Sequence, residues 1–213
     1  MVKVPTKTLE RSLLAQGYER IIGVDEVGMA CLAGPVAVCA LAVGPDFYAT
    51  WHRGLAWMRD SKMLQPHQRE RFAAQLVGIT GLTWRIASCE PQVIDELNIY
   101  QASRVAMRTA IAELRGTNNG SRTVVLVDGN KIIKELDLPQ KAIIKGDQKV
   151  WAIAAASILA KVHRDRLMVE YAKEYPGYGF EIHKGYPTKL HRQRLEELGP
   201  CPLHRRSFRL EYP

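Results

Sequence analysis

The chain is 213 residues long and 46% hydrophobic, enough for one domain of ordinary size built around a core. Its 30 Lys and Arg against 22 Asp and Glu leave a formal charge of +8, which suits a polyanionic partner because clustered cations displace the counterions condensed on phosphates. No run reaches the ~18 apolar residues of a membrane span, and the basic start at Lys3 and Lys7 has no apolar stretch behind it, so no membrane insertion or secretory signal is read and the expected location is the cytoplasm.

In chain order, residues 21–25 and 35–43 are apolar runs that read as buried strands. Residues 66–77 are amphipathic and predict a helix, followed by a strand over 82–88. Residues 91–114 keep helical spacing throughout, with Val93, Ile94, Leu97, Ala102, Val105, Ala106 and Ile111 on one side and Pro91 in the first turn. The β-branched run 123–127 predicts a strand, and 142–144 a weaker one. A long helix is expected over 148–174; its first half is apolar nearly all round and must be buried, its alanines letting a sheet approach closely. Pro176-Gly177-Tyr178-Gly179 breaks that helix, and Thr188 is placed to N-cap a last one over 188–198. The alternation predicts an α/β fold around a mixed central sheet.

The acids that close these apolar runs are the candidate site. Asp25-Glu26 ends the first run, Asp128 precedes Gly129-Asn130 at the end of another, and Asp147 lies in Lys-Gly-Asp at or just before a helix start. Adjacent strand residues point to opposite faces, so Asp25 and Glu26 reach one site only where the strand ends; Val27-Gly28 is expected to end it. Glu26 is therefore a candidate to act through its backbone carbonyl or a bridging water. Singly, Asp128-Gly129 is a turn, Asp147 an N-cap and Asp25-Glu26 a partner for an Arg. Together they would repel one another without a cation. All-oxygen ligation suits Mg²⁺ or Mn²⁺, which bind through a few carboxylates plus substrate phosphate, and in a basic protein that points to phosphodiester chemistry.

Other chemistries are missing from the sequence. Cys31, Cys39, Cys89 and Cys201 form no C-x-x-C and read as buried free thiols. There is no G-x-x-x-x-G-K-[ST] loop and no G-x-S-x-G elbow, and Ser157 and Lys161 do not make an S-x-x-K pair. His163, His183, His191 and His204 lack the H-E-x-x-H pattern and read as surface or phosphate-contacting imidazoles.

Several blocks carry a resemblance to a known family. They are Gly23-Val24-Asp25-Glu26-Val27-Gly28, Leu32-Ala33-Gly34-Pro35-Val36, Asp60-Ser61-Lys62, Val127-Asp128-Gly129-Asn130, Lys145-Gly146-Asp147, the run from Ile153 to Val162, Tyr175-Pro176-Gly177-Tyr178-Gly179-Phe180, His183-Lys184-Gly185-Tyr186 and His204-Arg205-Arg206-Ser207-Phe208. In this order and spacing the chain resembles bacterial ribonuclease HII. The resemblance implies a ribonuclease H-like fold with a small C-terminal helical extension, divided as an N-terminal segment (1–19), a catalytic domain (20–175) and a substrate-binding extension (176–213). It implies a divalent-metal endonuclease, using Mg²⁺ or Mn²⁺ and acting as a monomer. Its substrates would be RNA/DNA hybrids and duplex DNA with embedded ribonucleotides, cut to leave a 3′-hydroxyl and a 5′-phosphate. Carried over by position, Asp25, Glu26 and Asp128 are metal ligands and Asp147 the fourth catalytic carboxylate. Tyr186 would stack on the sugar after the ribonucleotide, where the 2′-hydroxyl distinguishes RNA from DNA.

Lys62 and Lys184 are candidate substrate contacts, with Lys189, Arg192 and Arg194 along a backbone track, while Arg205 and Arg206 are expected to pair with core acids. One segment departs from the family pattern. Where Gly-Arg-Gly usually follows the Asp-Glu pair, this chain has Gly28-Met29-Ala30 and then Cys31. Met cannot make a charge-assisted phosphate contact, and Ala resists the positive φ that Gly allows. Weaker binding of a single embedded ribonucleotide is therefore expected. Two alternatives stay open: a hybrid-binding protein of the same fold with impaired catalysis, and an actin-like or sugar-kinase ATPase.

Overall fold

The computed structural model describes residues 4–50, 52–115 and 122–209; the outer ends of the expected N-terminal segment and C-terminal extension lie outside the described residues. Helix α1 (Thr8–Ala15) precedes β1 (Arg20–Val27) and β2 (Val36–Val43), and α2 (Pro45–Ala49) and α3 (Pro66–Val77) lead to β3 (Leu82–Cys89). Then come α4 (Pro91–Leu97), α5 (Ile99–Arg115), β4 (Thr123–Asp128), β5 (Gln140–Ile143), α6 (Trp151–Glu174), α7 (Phe180–His183) and α8 (Lys189–Leu198). The strands form one mixed five-stranded sheet in the order β3-β2-β1-β4-β5. β1 pairs antiparallel with β2 and parallel with β4, so the sheet is an antiparallel meander joined to a parallel pair.

Strand alternation divides the core into two layers. Ile21, Leu41, Val124 and Leu126 face the side covered by α6, α3 and α1, whereas Ile22, Val24, Val38, Val125 and Val127 face α4 and α5. The nearly all-apolar first half of α6 is buried, as its sequence requires. It lies so close to β1 that a Cβ at Gly23 would sit 2.3 Å from the carbonyl carbon of Ala152.

Two helices differ from the sequence expectation. The helical spacing of 91–114 is carried by two helices, because Asn98 takes φ +69° and its side-chain oxygen accepts the N–H groups of Tyr100 and Gln101, capping α5. The long helix begins at Trp151 rather than 148: Gly146–Gln148 form a 3-10 turn, and Val150 is extended where it bridges to Thr6. A third cluster of Ala33, Met168, Tyr178, Phe180 and Leu203 roots the C-terminal helices. No helix among the described residues is long and apolar enough to cross a membrane.

Candidate active site

The parallel register of β1 and β4 aligns Val24 with Val127, so Asp25 and Asp128 follow as neighbours at the carboxyl ends of adjacent strands, both on the α6 face. Open α/β sheets place their ligands at such ends. Asp147 reaches the same place from the 3-10 turn ahead of α6, held there because Gly146 donates its N–H to Asp128 Oδ1 at 2.6 Å. Lys145 is left-handed with φ +56°, which turns the chain into that position. Carboxylate oxygens of Asp25, Asp128 and Asp147 all lie within 4.8 Å of one another.

The electrostatics fit that crowding. Burial, reinforced by Glu26, Asp128 and Asp147, pushes the Asp25 carboxyl well above the usual carboxylate range. Asp147 is raised by burial, Asp128 and Asp60, against the pull of Lys62. Lys62 Nζ lies 3.2 Å from Asp147 Oδ2; burial lowers its pKa, but Asp147, Asp25 and Asp60 outweigh this and raise it overall. Three close acids and one lysine leave an excess of negative charge, and a hard divalent cation is the species that balances it with oxygen ligands alone.

Glu26 points to the other face of β1, as alternation demands, because the strand runs on to Val27. Its carboxylate stays outside the acid cluster. There it is half-buried, its Oε2 atom enclosed without a hydrogen-bond partner among the described residues, and burial followed by Asp128 raises its pKa against Arg104 and Lys62. It senses the site electrostatically from behind.

Two supports were not singled out from the sequence. Asp60, 4% exposed, accepts the Lys62 N–H and the Gln148 side-chain N–H, tying the lysine turn to the Asp147 turn. Ser157 on α6 shares a 2.9 Å hydrogen bond with Ser61 and interacts with Asp25. The Asp-Ser-Lys block was the available signal for Asp60, although only its lysine looked chemical.

Tyr186 sits on the arm after α7, partly buried, with Lys161 Nζ 5.1 Å from its ring centre. Lys184 is left-handed, its carbonyl accepts from Arg164, and its ammonium donates to the Glu181 carbonyl. Lys189 is exposed and Arg192 half-buried, whereas Arg194 is ion-paired with Glu197 at 2.6 Å on its own helix.

Of the four histidines singled out in the sequence, three are not surface groups. His183, His191 and His204 are buried, whereas His163 is exposed. Backbone partners fix their neutral forms. Gly185 N–H donates to His183 Nδ1, so His183 Nε2 donates to Tyr178 O; His191 Nδ1 donates to Tyr186 O; and Cys201 N–H donates to His204 Nδ1, so its Nε2 donates to His191 Nε2.

Burial first, then neighbouring imidazoles, lowers His191 and His204 to about 4. Since an unfolded imidazole titrates near 6.5, this stability is complete above that pH and is lost as pH falls from about 6.5 toward 4, by on the order of 2 kcal/mol or more for the set. Ring proton shifts of His191 and His204 should hold their neutral values down to pH 5; titration near 6.5 would contradict the network.

Arg205 and Arg206 also depart from expectation. Among the described residues Arg205 forms no ion pair: its guanidinium donates to the carbonyls of Gly34 and Met29, and the Asp95 carboxylate instead accepts the backbone N–H of Arg206. Arg164 likewise donates to Pro35, Ala33 and Lys184 carbonyls. The 28–35 loop makes only an isolated bridge, Ala33 to His204, among the described residues, so the carbonyls of Met29, Ala33, Gly34 and Pro35 take these side-chain donors instead. Gly28 takes φ +98° and a Cβ there would strike Arg164 Nε at 2.5 Å. Ala30 is exposed and outside the positive-φ region, so no glycine is needed there, and Met29 packs against the α5-side core. Cys31, Cys39 and Cys89 are buried free thiols, while Cys201 is half-exposed.

Solved structures share this architecture. Ribonuclease H2 from Pyrococcus horikoshii matches with TM-score 0.71 and 26% identity, over 90% of this chain and 94% of that one. Ribonuclease HII in the PCNA:RNase HII complex from Archaeoglobus fulgidus matches with TM-score 0.70 and 25% identity, over 91% and 96%. Fold and acid cluster thus define a ribonuclease H hydrolase. In sequence, the ribonuclease HII family model matches residues 22–211. Ribonuclease HII of Chlorobium phaeobacteroides is 46% identical over 191 residues, 90% of each chain, and that of Ruegeria pomeroyi is 46% identical over 205 residues, 96% of this chain and 82% of the relative. The chain belongs to the ribonuclease HII family.

Proposed function

We propose that this ribonuclease H is a divalent-metal endonuclease that cuts the RNA strand of RNA/DNA hybrids and cuts 5′ of ribonucleotides embedded in duplex DNA, leaving a 3′-hydroxyl and a 5′-phosphate. The observation that carries this is the convergence of Asp25, Asp128 and Asp147 within 4.8 Å at the carboxyl ends of two parallel strands. Asp25 and Asp128 would hold Mg²⁺ or Mn²⁺, Asp147 closes the site, and Glu26 contributes from the opposite face through its carbonyl or a bridging water. Bound cations would supply an activated water and charge balance at the leaving oxygen.

The protein's own groups position the substrate. Lys62, whose side chain is 73% exposed beside Asp147, is free to swing to a phosphate when cations neutralise its partner. Tyr186 offers its ring to the sugar at the junction, and the 176–213 extension, which carries it, is the substrate-binding part of a monomeric enzyme whose catalytic domain is 20–175.

Cleavage of three duplexes tests this: a full hybrid, a duplex with one ribonucleotide, and all DNA. The first two are expected to be cut only with Mg²⁺ or Mn²⁺ present, the third not at all, and Asp128→Asn to remove activity. Cleavage by the Asn variant would overturn the mechanism. In the same assay a Met29→Arg, Ala30→Gly variant should gain on the single-ribonucleotide duplex by about 10-fold, the worth of a charge-assisted phosphate contact, with most of the gain from Arg. No gain would mean that the Gly28-Met29-Ala30 segment does not limit substrate choice.

A further inference from the structure

Helix α6 begins without a cap of its own. Its N-cap is Val150, which offers no side-chain acceptor, and its first turn contains no acid, although 24 residues of aligned peptides put a partial positive charge and unpaired N–H groups at that end. The acceptor arrives from another helix. Glu10 of α1 is completely buried, and its Oε1 accepts the Ala152 N–H at 3.1 Å. Thr6 completes the attachment, donating its N–H to Lys149 O at 3.0 Å and accepting from Trp151 N–H at 3.1 Å. Leu13, also fully buried, anchors α1 in the core.

Burying a carboxylate is costly, and burial does raise the Glu10 pKa. Its Oε2 has no hydrogen-bond partner among the described residues. What the carboxylate holds is the point where three parts of the site meet. Ala152 is the residue whose backbone presses on Gly23, two positions before Asp25 on β1. The segment pinned by Thr6 follows the Asp147 turn directly, and that turn is bonded to Asp128. The family match begins at residue 22, so this strap lies outside it.

We propose that Glu10 is a positioning residue for the acid cluster: by capping α6 it fixes the Asp147 turn against Asp25 and Asp128 and so sets the cluster's affinity for divalent cations. This rests on the metal reading given above. Groups hydrogen-bonded directly to metal ligands are typically worth about 10–100-fold in metal affinity, and Glu10, one step further out, is expected at the low end of that range.

The test measures Mn²⁺ binding to the full chain by calorimetry and by Mn²⁺-induced thermal shift, alongside hybrid cleavage. Glu10→Ala is expected to weaken Mn²⁺ binding about 10-fold and to lower kcat with little change in KM for the hybrid. Glu10→Asp keeps the charge but falls short by one methylene, and should show the same loss in a folded protein even if the Ala variant does not fold. Glu10→Gln keeps an acceptor at full reach and should restore most of the binding. Wild-type Mn²⁺ affinity in the Asp variant, or a Gln variant as impaired as the Asp one, would overturn the proposal. Failure of the wild-type chain to bind Mn²⁺ at all would instead sink the metal reading, and this inference with it.

Discussion

Asp25→Asn is expected to abolish hydrolysis while making the metal-free protein more stable. The carboxylate is buried beside Asp128 and Asp147, with Glu26 next to it in the chain, and each of the three disfavours its charge. Asn keeps the shape and the oxygen that accepts the Glu26 N–H at 2.8 Å, but removes the charge. Relief of that repulsion should add on the order of 1–3 kcal/mol, or about 3–8 °C in Tm for a chain of this size. Activity should fall by at least about 1,000-fold, because a ligand oxygen at the centre of the cluster is lost.

Two further signatures separate this from a packing effect. Metal-induced stabilisation grows with ligand concentration over Kd, so the wild-type gain in Tm with Mn²⁺ should largely vanish in the variant. The pH dependence should change as well. A carboxyl raised in the fold favours the folded state when protonated, so its contribution is lost as pH rises from the ordinary carboxylate range through the raised value; Asn removes that loss. Its sign is opposite to that of the buried histidines, which cost stability as pH falls. Calorimetric melting with and without Mn²⁺ at several pH values checks all three, and a variant less stable than the metal-free wild type would show that the cluster is not strained by its own charge.

The central part of the site was legible because it is local. A strand that ends in a carboxylate places it at a sheet edge, and two such strands in parallel register bring Asp25 and Asp128 together. Strand alternation also makes Glu26 the exception to watch: the strand is expected to end at Val27-Gly28, and because it runs on through Val27 the Glu26 carboxylate lies outside the cluster. What could not be read is set by partners distant in sequence. Glu10 meets Ala152 across 142 positions, and a lone acid in a short amphipathic helix reads as a surface charge. The three histidines lie on three different segments, and only the stacking of α7, α8 and the chain after α8 buries them. Arg205 reads as an ion-pair partner in sequence because nothing local shows that the 28–35 loop presents its carbonyls to it. The break at Asn98 was there to be read, since Asn before a helical run is a cap, but unbroken apolar spacing on both sides concealed it.

Gly23→Ala should destabilise the protein severely through a single added methyl. Glycine is required here for space rather than for φ, since position 23 lies outside the positive-φ region. An added Cβ would lie 2.3 Å from Ala152 C, 2.4 Å from its O and 2.7 Å from Ile153 N, all backbone atoms that cannot rotate away. Either α6 lifts from β1 or the sheet bends, and overpacking against side chains alone already costs about 1–3 kcal/mol. A loss of about 3 kcal/mol or more is expected, lowering Tm by roughly 6–12 °C. Gly78→Ala is the control, because its added Cβ would make only ordinary contacts at 3.7 Å in a conformation open to any residue; it should stay within about 0.5 kcal/mol. The displaced element is the one that follows Asp147 and carries Ser157, so lifting it spreads the acid cluster. Gly23→Ala should therefore weaken Mn²⁺ binding and lower kcat even at temperatures where the variant is fully folded. A Gly23→Ala protein that melted early yet bound Mn²⁺ like the wild type would show that the carboxylates hold their spacing independently of α6.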